Sequence, residues 1–388
     1  MSKILSLINE LCPTGVVFKT LGSFCSIKTG RGITSKETTK DGPYPVISGG
    51  VEPMGFYHEF NRDENTITIA RAGSAGYVNF IKTKFYLNDK CFSIIPNRDA
   101  DSKYLFYYLK NIENQIIALK STGSVPTVNT SKIASIKVPV PPIAVQKEIV
   151  YILDCFTDLI DGLNKELILR KTQYQFYLDY LFEHCSGVEY MLADLGTFTR
   201  GKRFVHADAV DEGGIPCIHY GELYTHYGVF ASEAKSQIRK SILEEKKLRY
   251  AQKGDVIIVG AGENNEDIGV GVSWEGEYSV AVHDACYTFV TSQNPRFISF
   301  YLRSSSYHKQ IKSYVAEGKI CAISSDGIGK AKLKVPSLKE QQQIVTMLES
   351  FYHLISDTIN GIPAEICARQ KQYEYYRDKL LTFKELEA

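Results

Sequence analysis

The feature that most constrains this chain is a long run of apolar residues, spaced alternately four and three apart, that occurs twice. In the first copy Ile149, Leu153, Phe156, Ile160, Leu163, Leu167, Tyr174, Tyr177 and Leu181 follow the dipeptide Val140-Pro141, with Arg170 filling the remaining seam position. In the second, Ile344, Leu348, Phe351, Ile355, Ile359, Ile362, Ile366, Tyr373, Tyr376 and Leu380 follow Val335-Pro336, with Arg369 in the seam. Such a stripe is a coiled-coil seam and needs a like stripe to cover it. Each copy therefore predicts a long helix, and if the two pair antiparallel the chain has an approximate internal twofold. Gln146-Lys147-Glu148-Ile149-Val150 lines up with Gln341-Gln342-Gln343-Ile344-Val345 at one end, and Arg170-Lys171-Thr172-Gln173-Tyr174 with Arg369-Gln370-Lys371-Gln372-Tyr373 at the other. The second copy carries four extra residues in between, a stutter that shifts the seam by about one turn. The repeated arginine has two readings: a buried charge that sets register, with Asp179 or Asp378 as partner, or an edge residue that reaches water.

The repeat continues into the segments between the helices. Gly123, Ile133, Lys137, Val140 and Pro141 match Gly318, Ile328, Lys332, Val335 and Pro336 at a constant offset. Farther upstream Asp89 and Cys91 match Asp284 and Cys286, and Tyr108-Leu109 matches Tyr301-Leu302. Strands are predicted at 66–70, 77–81 and 91–95 in the first block, and at 255–259, 270–274 and 284–290 in the second, with a helix over 104–119. Short strands, frequent glycine turns and a helix predict an irregular α+β block. The chain is thus two half-molecules in tandem, each a block followed by a long helix. The expected divisions are an N-terminal helix at 1–12, blocks at 13–141 and 187–336, and spacer helices at 142–186 and 337–388. Gly260-Ala261-Gly262 lacks the third glycine of a dinucleotide loop and is read as a turn.

No window approaches a membrane span, and the N-terminus is too short and polar for a signal peptide. The nine cysteines show no zinc-ligand spacing, which predicts reduced core residues and a cytoplasmic protein. Net charge is +1 for the chain, but +6 for residues 12–141 and zero for 187–336, while both helical segments are acidic. A polyanionic partner would therefore meet the blocks and not the helices. There is no Walker A loop, no Asn-Pro-Pro-Tyr-type methyltransferase motif and no nuclease-like carboxylate and lysine cluster.

With these motifs the tandem plan resembles the specificity subunit of type I restriction-modification systems. The likeness is carried by Gly123-Ser124-Val125-Pro126-Thr127 before the strand Ile136-Lys137-Val138-Pro139-Val140-Pro141-Pro142, by the Gln-x-x-Ile-Val helix starts, and by Arg369-Gln370-Lys371-Gln372-Tyr373-Glu374-Tyr375-Tyr376-Arg377-Asp378-Lys379-Leu380-Leu381-Thr382-Phe383. The first copy departs from the family in having Val145-Gln146 where the second has Glu340-Gln341, and in lacking a counterpart to Pro363. The resemblance implies an α+β fold: two irregular α/β target-recognition domains separated by two long, antiparallel coiled-coil helices with pseudo-twofold symmetry. It further implies that double-stranded DNA is read as a bipartite, gapped site, and that the helical regions recruit two methyltransferase subunits, which a restriction/translocase subunit joins. This chain would carry no active site, cofactor or metal; S-adenosylmethionine, ATP and Mg belong to the partner subunits.

Base reading needs polar side chains on loops backed by rigid strands, Arg and Lys for guanine and Asn and Gln for adenine. In the first block the candidates are Lys28, Arg31, Arg71, Ser74, Ser124 and Thr127, and in the second Arg200, Lys202, Arg203, His219, Asn264 and Lys319. For any one of them the plain alternative is a solvated loop residue, and for His219 a structural ring. Tyr180 and Tyr375 are assigned to a contact with the methyltransferase subunit or the adjoining recognition domain, or, on the plain reading, to a widened core where helix meets domain. A competing class is a protein scaffold without DNA specificity. Under the restriction reading the seam is a ruler. Inserting one turn, about four residues or about 6 Å, is expected to lengthen the non-specific spacer with both half-sites unchanged, as read by sequencing methylated sites.

Overall fold

The two apolar stripes form the two longest helices, Ile143–His184 and Leu338–Leu381. Ser337 caps the second, its Oγ accepting the Glu340 N–H at 3.3 Å. The first stops before Gly187, which sits at φ +110° with the Val335 carbonyl 2.3 Å from where a Cβ would be. The computed structural model describes residues 2–121 and 126–386. The chain forms two units, Met1–Asn164 with Pro363–Ala388, and Lys165–Ile362. Each long helix is shared, and each unit contains an antiparallel pairing of one helix half with a half of the other.

In the first unit Val145, Ile149 and Leu153 are buried with Leu380 and Leu381, and Phe156 stacks on Tyr376 at 5.5 Å between ring centroids. In the second, Tyr177 stacks on Phe351 at 4.5 Å, while Leu178 and Phe182 share a core with Ile344 and Leu348. Within the units Ile149, Leu153, Phe156 and Tyr177 of the first stripe and Ile344, Leu348, Phe351, Tyr376 and Leu380 of the second pack as their spacing predicts, while Val145, Leu178, Phe182 and Leu381, which lie off the stripes, are buried beside them. The two seam arginines do not join them. Arg170 pairs with Glu166 at 3.5 Å and Arg369 with Glu365 at 2.7 Å, both one turn back on their own helix and partly in solvent. Asp179 instead accepts the Ser305 N–H, and Asp378 pairs with Arg377. Of the two readings of these arginines the edge one holds, because a local carboxylate in water spares the guanidinium its desolvation.

The first unit's main sheet is antiparallel in the order Cys25–Thr29, Cys91–Pro96, Thr66–Ala70 and Val78–Ile81. Ile67, Ile69, Phe92 and Ile94 bury one face of it against Leu105 and Leu109. The helix expected over 104–119 breaks at Ile112 into Ser102–Asn111 and Glu113–Ala118. Asp101 caps the first piece, accepting the Lys103 and Tyr104 N–H groups. The second unit repeats the sheet as Gly196–Arg200, Cys286–Thr291, Val256–Val259 and Gly271–Trp274, and adds Phe230–Ala231 parallel to the last. A second, mixed sheet accompanies each of them, three-stranded in the first unit and five-stranded in the second. Ala261–Gly262, read from sequence as a turn, pairs as a short strand with Cys321–Ala322.

One buried glutamine fixes each long helix start to its block. Gln146 is fully buried; its Nε2 donates to the Asp99 and Pro141 carbonyls, and its Oε1 accepts the Asp101 N–H at 2.8 Å. Gln341, also fully buried, donates to the Pro336 carbonyl and to Gln293 Oε1, and accepts the Asn294 N–H at 3.0 Å. These are the glutamines of the repeated Gln-x-x-Ile-Val motif. Mid-helix, Gly162 and Gly361 face open space, with nothing within 4 Å of an added Cβ. Alanine at either is expected to stabilise its unit by about 1 kcal/mol, read from thermal unfolding.

Candidate nucleic-acid interface

A tight turn at the same place in each unit gathers the loops that carry the candidate side chains. In the first unit it is Leu87–Cys91. Gly30 N–H donates to the Cys91 carbonyl and Arg31 N–H to that of Leu87, while Arg71 and Ala72 both donate to Lys90. In the second it is Val282–Cys286. Gly201 N–H donates to the Cys286 carbonyl, Lys202 N–H to that of Val282, and Gly260 and Ala261 to that of Ala285. The repeated Asp89/Cys91 and Asp284/Cys286 pairs mark these turns. A side chain within each turn locks it. Asn88 Nδ2 donates to the Ile33 carbonyl and its Oδ1 accepts the Lys90 N–H. His283 does the same with a ring: Nδ1 accepts the Ala285 N–H at 3.1 Å, so Nε2 carries the proton it gives to the Phe204 carbonyl at 3.0 Å. Burial pushes the His283 pKa down and favours this neutral form.

Because the scaffold bonds run through backbone groups, the side chains of these loops are free to project. In the first unit Lys28, Arg31, Arg71 and Ser74 are exposed, and Thr127 is half-buried where it pairs with Ala72. Gly73 and Gly76, at φ +76° and +93°, turn the Arg71–Ser74 loop, and the Ser74 N–H donates to the Gly49 carbonyl. Arg62, absent from the sequence candidates, braces the start of the surface: its Nη2 donates to the Thr29 carbonyl and its Nε to Ser93 Oγ. Ser124 lies outside the described residues.

In the second unit Arg200, Arg203, His219 and Lys319 converge on a cleft of about 720 Å³, which Tyr220, His283, Glu263 and Asp284 also line. Arg200 Nε donates to the Asp284 carbonyl, holding its stem to the turn. His219 is half-buried, its ring edge-on to Phe204 and 5.0 Å from His283, and burial pushes its pKa down. It is a neutral wall of the cleft. Lys202 and Arg203 meet Lys246 and Lys247 in an adjoining hollow of about 460 Å³. These two added lysines sit on a stretch with no repeat partner, so the duplication gave no signal for them. Asn264 is exposed outside the cleft, its Nδ2 donating to Asp267 at 3.1 Å.

The two surfaces share a frame and differ in what it displays. By hydrogen-bond pattern Arg31 corresponds to Lys202, but Arg71 to Gly260 and Thr127 to Ala322. Six cysteines are buried, Cys25 is half-buried, and only Cys155 and Cys367 on the long helices are exposed. Burial pushes the Cys91 and Cys217 thiols up to about 12, which leaves them unreactive near neutrality. Among the described residues no helix is long and apolar enough to cross a membrane.

The same plan occurs in known proteins. A relative from Haemophilus influenzae, named as a type I restriction enzyme specificity subunit, is 30% identical over 361 residues, covering 87% of this chain and 89% of its own. A type I specificity subunit from Mycoplasma pneumoniae is 29% identical, covering 92% of this chain and 94% of its own. The crystal structure of a type I restriction-modification S subunit from M. genitalium superimposes with a TM-score of 0.59 at 18% identity, over 94% of this chain and 96% of that one, so the fold is shared. The profile of the type I restriction modification DNA specificity domain matches residues 13–169 and again 187–368. With both halves matched, the chain belongs to the family of type I restriction-modification DNA specificity proteins.

Proposed function

We propose that this protein is the DNA specificity subunit of a type I restriction-modification complex, each unit reading one half of a gapped site. The observation that carries it is the shared turn, which displays cations in both units yet differs at nearly every displayed position. A common frame with unlike faces suits two non-identical half-sites. Lysines and arginines at the rims supply phosphate contacts, and side chains in the cleft reach base edges. Glu263 and Asp284 among the cations of the second unit suit a cytosine amino group, which donates where guanine accepts. The chain acts without a catalytic site of its own, in the cytoplasm. Methyltransferase subunits, and a restriction subunit with them, supply S-adenosylmethionine, ATP and Mg. Tyr180 and Tyr375, 47% and 60% exposed, support a partner contact over a core role.

The chain with its methyltransferase is expected to bind a gapped bipartite duplex with log K falling steeply against log salt. Replacing Arg31 and Arg71 by glutamine should flatten that slope by about two and weaken only the first half-site. Titrations at several salt concentrations, with duplexes altered in one half-site at a time, check both. A salt-independent interaction, or none with a gapped preference, would leave the chain a protein scaffold.

A further inference from the structure

Equivalent cations in the two units have unequal fates. Lys110 in the first unit pairs with Glu113 at 2.7 Å, three residues on, and lies 4.4 Å over the Tyr77 ring. The Tyr108-Leu109 and Tyr301-Leu302 match makes Arg303 its counterpart, and the residue three on from that is Ser306. Arg303 Nη2 donates to the Gly228 carbonyl at 2.6 Å, but its Nε is shut off from solvent with no hydrogen-bond partner. The nearby Tyr174 hydroxyl is likewise buried and unpaired. Among the described residues this guanidinium shows no ion pair, and the titratable groups acting on it are the Tyr174 and Tyr352 hydroxyls. Arg303 as a whole is half-buried, and a cation partly withdrawn from water without a counter-ion is costly and favours an anion that reaches it from the cleft.

Arg303 lines a cleft of about 820 Å³, separate from the base-reading one, together with Gln175 of the central helix, His308, Lys309 and Lys312. Glu266 is the single carboxylate residue among those lining it. Beside Gln175, Phe176, Tyr180 and His184 stack in sequence along the helix, and Phe176 is 62% exposed. A smooth phosphate backbone is met by exposed lysines, whereas a guanidinium sunk in a cleft is reached by a group that protrudes. An arginine in a cleft walled by Gln175, next in sequence to the exposed Phe176, has the composition of a protein-binding hot spot. We propose that the Arg303 cleft receives a carboxylate side chain from a protein partner, with the Phe176–Tyr180 ladder packing beside it. The partner is an acidic segment of the methyltransferase subunit, which rests on the function proposed above.

The test compares the full chain with Arg303→Met, which keeps the volume and removes the charge, and with Lys309→Gln/Lys312→Gln, which leaves the interior untouched. Inorganic phosphate, as a bare oxyanion probe, is expected to raise the melting temperature of the wild type and not of Arg303→Met. Affinity for the methyltransferase should fall about thirtyfold or more in Arg303→Met and less in the lysine pair, with the salt slope of DNA binding unchanged. An equal phosphate response in wild type and Arg303→Met overturns the site. A salt slope reduced by about one with methyltransferase affinity intact overturns the assigned occupant and gives the cleft to DNA. If the wild type binds no methyltransferase, the proposed function fails, and the phosphate response still decides the cleft.

Discussion

Alanine at Gly201 is expected to destabilise the second unit by about 3 kcal/mol and to abolish recognition of one half-site while the other is still read. A Cβ there would lie 2.2 and 2.3 Å from the His283 and Val282 carbonyl oxygens. Both belong to the turn that Gly201 and Lys202 hold by their N–H groups. Neither oxygen can swing away as a flexible side chain would, so the turn or the strand must move. With it go Arg200, Lys202 and Arg203. Gly30→Ala is the matching change in the first unit, where the Leu87 and Asn88 oxygens would be 2.1 and 2.3 Å away. Since the two units need not unfold together, hydrogen exchange resolved over Cys286–Thr291 and over Cys91–Pro96 is the measurement to make. Each variant should lose protection in its own sheet. Full protection and intact binding in Gly201→Ala would refute the account of the turn.

The second large effect is expected at Gln341. Leucine there keeps the volume but strips partners from the Asn294 N–H, the Pro336 carbonyl and the Gln293 side chain around a fully buried position. Desolvated groups left unpaired put the cost at roughly 2–4 kcal/mol, carried by the joint between block and helix. Gln146→Leu should cost a similar amount, since the Asp101 N–H and the Asp99 and Pro141 carbonyls lose theirs. Urea unfolding followed by fluorescence of Trp274, the single tryptophan and buried in the second unit, reads the first variant directly. If that transition is unmoved in Gln341→Leu, the glutamine is not the clamp described.

The long helices were legible because their apolar residues obey one spacing for many turns, although near the end of the first helix the burial falls on Leu178 and Phe182, one residue on from Tyr177 and Leu181. The duplication was legible for the same reason at the level of motifs. It located the organising turns through Asp89/Cys91 and Asp284/Cys286, and the clamps through Gln146 and Gln341, before either had a structural meaning. Other features were not legible because geometry, and not residue type, defines them. Asn88 and His283 perform one job with different side chains, so a comparison of residue letters passes over them. The break at Ile112 interrupts a helix whose apolar spacing continues across it. Asn264 has the chemistry of a base reader but lies outside the cleft, bonded to Asp267 three residues on. The seam arginines carried a charge pattern compatible with two placements, and only the neighbouring Glu166 and Glu365 decided between them.

The turn at Leu87–Cys91 and its twin at Val282–Cys286 hold their neighbours largely by amide and carbonyl groups, which every residue except proline supplies in full. What stands on that frame can therefore be rewritten letter by letter at little thermodynamic penalty. A lineage under pressure to address new sequences could exchange the displayed characters wholesale and keep the press that prints them.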